Sequence, residues 1–140
     1  IEPASTEPEL QQLVLMTTPS NPTKYWSGGF ISPATAYPEA ALFTSKYGNR
    51  RTYIGQGTEL QVQGFHTGLD YGGGTGLPIS APAAGHQSEI NVQVGDIVAQ
   101  GQVIGLVGGT GRVTGPHLHW ELWANGIQVD PLDWLIQSYP

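Results

Sequence analysis

Apolar and polar positions along the chain alternate in short runs, and the elements they predict are strands. Over residues 115–122, GPHLHWEL, the apolar residues Leu118, Trp120 and Leu122 recur with period two. That period belongs to a strand, and it sends His117 and His119 to one common face. ELQVQ at 59–63 alternates more weakly in the same manner. LPISAP at 77–82 reads as an edge strand, because proline cannot donate to a ladder. From 90 to 111, INVQVGDIVAQGQVIGLVGGTG alternates Val and Ile with glycine every few residues, the pattern of short strands turning sharply in a compact barrel or sandwich. Asn125-Gly126, set between ELWA and IQV, is a two-residue hairpin signal. DPLDWLIQ at 130–137 predicts a short terminal helix, with Asp130 as cap and Pro131 at the first helical position. A further helical turn is expected at YPEAAL, 37–42, and one strand at LVLM, 13–16. Trp120, Trp123 and Trp134 are expected to pack rather than to form a binding platform.

Composition agrees with an all-β chain of antiparallel strands. Only 11% of the 140 residues are charged, while 20 are Gly and 11 are Pro, which disfavours long surface helices. The length suits one domain with a tail: residues 1–27, rich in Pro, Ser, Thr and Glu, read as a linker, and 28–140 as the domain. The chain opens on Ile1 without a basic-then-apolar leader, as expected of a piece processed or trimmed from a longer protein. No apolar run approaches 18 residues, so membrane insertion is not expected. A net charge of −6 with five basic residues argues against nucleic acid and anionic membrane surfaces as partners. Oligomeric state is not legible.

The chain has no cysteine, so any metal must be held by His and carboxylate. It has four histidines, and each falls in a Gly-rich or strand-like setting: His66 opens HTGLD with Asp70, His86 opens HQSEI, and His117 and His119 share the strand above. A metal site is the expectation, but spacing alone does not decide which of His117 and His119 binds. Arg50 and Arg51 place two of the five cations together, either as a solvated turn or as a clamp for a substrate carboxylate. GGGTG at 72–76 lacks the Lys-Ser/Thr ending and following helix of a phosphate cradle. The VGDxVxxGQxIG phrase also occurs in domains that carry biotin or lipoate on an exposed lysine. The only lysines here, Lys24 and Lys46, lie far upstream of it.

HTGLD, the VGDIVAQGQVIGLVGGTG run and TGPHLHWE together resemble, in order and wording, the lysostaphin-type (LytM-type) zinc peptidases that cut peptidoglycan peptides. KYGNRR resembles the FGxR phrase of that family, and the resemblance covers about residues 28 to 135. It implies a zinc-dependent peptidoglycan endopeptidase acting outside the cell or in the bacterial envelope. It also implies His66, Asp70 and His119 as zinc ligands, His117 and His86 as catalytic histidines, and Arg50 as a substrate-binding residue. Tyr71 is expected to line the peptide groove with Trp120. The alternative is a noncatalytic relative that binds wall or activates another hydrolase.

One departure stands out. In the family, APAAG is followed by central strands ending in an aromatic-x-His-Leu-Ser phrase, whereas here Gly85 runs straight into His86-Gln-Ser. By ordinary strand and turn lengths about 30 residues are absent. If they are only unrecorded, the Cα atoms of Gly85 and His86 should lie well beyond about 3.8 Å; a normal bond would mean a true deletion. His86 is the assignment that depends on this.

Overall fold

The computed structural model describes residue 11 and residues 23–37, 43–54, 61–86, 96–109 and 115–139, with backbone alone at 53, 54, 62 and 86. The expected strand at 13–16 lies outside these residues, as does 38–42 of the expected helical turn; Tyr37 closes a turn over 33–37. In chain order the elements are β1 (Phe43–Ser45), β2 (Arg50–Ile54), β3 (Gln61–Phe65), β4 (Leu69–Gly72), β5 (Pro78–Ser80), β6 (Gly85–His86), β7 (Ile97–Val98), β8 (Val103–Leu106), β9 (His117–Trp120), β10 (Leu122–Ala124), β11 (Ile127–Val129) and α1 (Pro131–Ile136). The expected strand-rich, antiparallel class is what forms. Among the described residues the strands make one three-stranded sheet, β1-β4-β9, and four two-stranded ones, β2-β3, β5-β8, β6-β7 and β10-β11.

The three-stranded sheet carries the organisation. β4 pairs antiparallel with β9 in the register Leu69↔Trp120, Asp70↔His119, Tyr71↔Leu118, Gly72↔His117. Because neighbours along a strand point to opposite faces, this register sorts the pair into two sides. Leu69, Tyr71, Leu118 and Trp120 meet Ala34, Tyr37, Val107, Phe43 and Leu132 in the core. Asp70, His117 and His119 share the other side.

The local signals at the C-terminal end hold. Asn125 and Gly126 both take positive φ, 52° and 75°, which fits the right-twisted turn an Asn-Gly pair supports, and β10 and β11 pair across them. Asp130 caps α1 by accepting from the Leu132 N–H at 2.9 Å, and Pro131 enters the first turn, where no N–H is needed. The edge strand expected at 77–82 is β5, whose one partner among the described residues is β8. Gly85 and His86 are consecutive in the full sequence and share β6, which pairs with β7.

Candidate metal centre

Three segments converge on the outer side of the β4–β9 pair. β9 supplies His119, and β4 supplies Asp70 directly across from it. His66 arrives from the turn between β3 and β4. That turn can press against β9 only because residue 68 is glycine: a Cβ there would overlap the Trp120 carbonyl. The HTGLD spacing therefore combines two donors with the small residue that lets them approach the third.

The three converging atoms, candidate metal ligands, are His66 Nε2, Asp70 Oδ1 and His119 Nδ1. They are separated by 3.0 Å (His66 to Asp70), 2.7 Å (His119 to Asp70) and 3.2 Å (His66 to His119). Two imidazoles and a carboxylate within 4.8 Å of one another could hold a metal ion. The spacing also fits zinc. Bonds of about 2.0–2.1 Å in a tetrahedron put ligand atoms about 3.3 Å apart, close to the nitrogen–nitrogen distance here. Three protein donors leave the fourth tetrahedral position open, as hydrolytic sites do.

Each ligand is held from behind. The N–H at Nδ1 of His66 points to the Lys46 carbonyl at 2.9 Å, which leaves the Nε2 lone pair facing the centre. The backbone of His66 is clamped to the 46–49 turn by Gly48 N–H donating to its carbonyl and its own N–H donating to Asn49, both at 2.8 Å. Asp70 turns Oδ1 inward and accepts from the Arg51 guanidinium through Oδ2 at 3.0 Å; Arg51 also donates to Ser45 Oγ at 2.7 Å. His119 directs Nδ1 to the centre and its Nε2 to Glu121 Oε1 at 3.0 Å.

The electrostatics follow from these contacts. Burial pushes the Asp70 carboxyl up, but the His119 hydrogen bond and the neighbouring His66, His119 and His117 outweigh it, so its pKa lies below the ordinary value. The hydrogen bond to Glu121 raises the His119 pKa, against burial and with help from Asp70. Burial would raise Glu121, yet hydrogen bonds from His119, Thr67, Gln128 and Trp123 hold it down at about 2.

The remaining expected site residues fall out differently. His117 lies on the same face of β9 as His119, and its Nδ1–H donates to the Gly115 carbonyl at 2.8 Å, leaving Nε2 as a free proton acceptor. His86 contributes its backbone to β6; its side chain lies outside what is described. Arg50 begins β2 opposite Phe65 and is exposed, and it is Arg51 that reaches the Asp70 carboxylate. Tyr71 is corrected: it is 1% exposed, its ring packed on Phe43 at 5.0 Å, so it is a core residue and not part of a groove wall. The period-two rule could have found this, since Tyr71 has the opposite parity to Asp70. Sequence reasoning missed Glu121, although the same rule puts it on the face of His117 and His119. It also passed over Arg51 in favour of Arg50.

An antiparallel β scaffold with a His/His/Asp cluster and a nearby histidine has the donor set of a metal site. More particularly, residues 84–131 match Peptidase family M23. The peptidoglycan DD-endopeptidase ShyC of Vibrio cholerae is 62% identical over 40 residues, 29% of this chain and 9% of the relative. The DD-carboxypeptidase/endopeptidase Mpg of Neisseria meningitidis is 36% identical over 133 residues, 75% of this chain and 29% of the relative. A zinc-containing peptidase of V. cholerae superposes with a TM-score of 0.58 at 27% identity, covering 75% of this chain and 39% of the other. The chain thus spans less than a third of the length of these curated relatives. The 133 aligned positions of Mpg take in 75% of 140 residues, about 105, so about 28 positions of Mpg have no counterpart here.

Proposed function

We propose that this chain is a zinc-dependent endopeptidase that hydrolyses peptide bonds of bacterial peptidoglycan, with His66, Asp70 and His119 holding the metal. The observation that carries the reading is the convergence of two imidazole nitrogens and one carboxylate oxygen within 2.7 to 3.2 Å of one another. It is supported by the family match and by ShyC, a relative named for action on peptidoglycan. Action on wall peptides sets the place of work at the cell envelope or outside the cell. Among the described residues no helix is long and apolar enough to cross a membrane.

Zinc, when bound, supplies Lewis acidity that polarises the carbonyl to be cleaved and makes water nucleophilic near neutral pH. The chain's own groups do the rest. His117, fixed by its Nδ1–H···O bond to Gly115, offers Nε2 as the base that takes the water proton and returns it to the leaving amine. His86, protonated, is the candidate donor to the developing oxyanion. Arg51 holds Asp70 with one oxygen inward, and Arg50, exposed at the start of β2, remains available for a substrate carboxylate.

A second reading, a noncatalytic wall-binding or hydrolase-activating relative, is favoured by one observation: the shortfall of about 28 residues against Mpg. Its length agrees with the segment expected to be absent before His86, the residue on which oxyanion stabilisation rests. Release of new amino groups from purified peptidoglycan separates the readings. Release that stops with chelator and resumes with added zinc supports the peptidase. Zinc binding with no release from several wall types supports the noncatalytic relative.

A further inference from the structure

Resting on the reading of His119 as a metal ligand, we infer that Glu121 is a positioning residue for it, fixing which imidazole nitrogen faces the metal. The geometry is specific. His119 presents Nδ1 toward Asp70 and His66, and its far nitrogen, Nε2, meets Glu121 Oε1 at 3.0 Å. Both ring nitrogens face a carboxylate, Nδ1 that of Asp70 at 2.7 Å and Nε2 that of Glu121. When a metal takes the Nδ1 lone pair together with Asp70, the one proton of a neutral imidazole sits at Nε2, where Glu121 accepts its hydrogen bond. A carboxylate behind a ligating histidine also increases its basicity and fixes the ring plane.

Glu121 is itself caged by donors. Oε1 accepts from His119 and from the Thr67 hydroxyl, and Oε2 accepts from Trp123 Nε1 at 2.9 Å and Gln128 Nε2 at 3.1 Å. Thr67, Trp123 and Gln128 all donate, so the site is built for an acceptor-only group, which among neutral-pH side chains is an ionised carboxylate. The donors also come from separate parts of the fold. Thr67 lies in the turn that carries His66, while Trp123 and Gln128 come from the two strands of the Asn125-Gly126 hairpin. Gln128 returns a contact to the opposite side of the centre, its carbonyl accepting from the Tyr47 hydroxyl at 3.0 Å. The hairpin after the HLH strand is therefore part of the metal centre's support rather than a mere connection.

The test uses the full chain with Zn²⁺ and Co²⁺ as probes, comparing wild type with Glu121→Gln and Glu121→Ala. Chelator competition should show zinc affinity reduced about 10- to 100-fold in the variants, the range for loss of a residue behind a metal-bound histidine. The visible spectrum of the Co²⁺-loaded variants should shift while one metal per chain is still bound. Independently of any variant, ¹⁵N NMR of zinc-loaded wild type should show His119 protonated at Nε2 and metal-bound at Nδ1. The opposite tautomer would overturn the inference, as would a Glu121→Gln protein with wild-type zinc affinity and an unchanged Co²⁺ spectrum. Wild type that binds no zinc would instead remove the metal-site reading beneath it, a separate outcome.

Discussion

The metal centre and the β6–β8 region are built from the same kinds of short strand, yet they are closed to different degrees. At the centre, β4 is paired on both sides, its Leu69, Asp70 and Tyr71 are all buried, and every ligand has a second contact behind it. In the β6–β8 region the sheets have two strands each among the described residues, and Ile97, Val103 and Leu106 are 75%, 54% and 58% exposed. Strands in that position ordinarily bury such side chains under further strands or loops. The contrast teaches that the candidate ligand set is supported by its own local contacts and not by β6, β7 or β8. It is held by the 45–49 turn, the Gly68 approach and the β10-β11 hairpin.

The comparison breaks most sharply at the ligands. Asp70→Ala and His119→Ala should each lose bound zinc and all turnover, whereas His117→Ala should keep zinc and lose about 10²- to 10⁴-fold in rate. Metal analysis after dialysis, paired with the wall-digestion assay, checks both halves. Full activity in His117→Ala would contradict its role as base.

Gly68→Ala comes next. The added methyl meets backbone, which cannot swing aside, so thermal unfolding should register a loss of about 1–3 kcal/mol, and zinc affinity should fall with it. An unchanged melting temperature would show that the turn is not pinned to β9. Smaller again, Arg51→Ala should weaken zinc binding by about tenfold by freeing Asp70 Oδ2, while Arg50→Ala leaves it unchanged. Titration with a zinc-buffered indicator distinguishes the two arginines, and a larger effect at Arg50 would reverse their assignment.

The smallest effect belongs to the open region. Leu106→Ser should change stability by no more than about 0.5 kcal/mol, because the side chain is already in water. In the core, Leu69→Ala should cost about 2–5 kcal/mol. Denaturant midpoints of the two variants measure the contrast, and a large loss at Leu106 would show that β8 is covered in solution.

Much of this architecture is legible in the amino-acid sequence. The Asn125-Gly126 hairpin, the Asp130-Pro131 helix start and the period-two run at His117 to Trp120 are local signals, each written in a few adjacent residues, and each forms as expected. HTGLD and HLH announce the ligand types. Which nitrogens face inward, and what stands behind them, is not written locally, because both depend on the β4–β9 register and on contacts between distant segments. Arg51 reaches Asp70 across 19 positions and Thr67 reaches Glu121 across 54. The groove expectation for Tyr71 fails because the parity of its position beside Asp70, and not its aromatic character, decides which face it joins.

The most direct test of the central claim is the zinc K-edge absorption spectrum of the loaded chain. Two imidazole nitrogens, one carboxylate oxygen and a fourth light ligand that azide or another small anion can displace are the predicted result. A spectrum with no imidazole scattering, or with four protein ligands and no exchangeable position, would contradict an open His66, Asp70 and His119 centre.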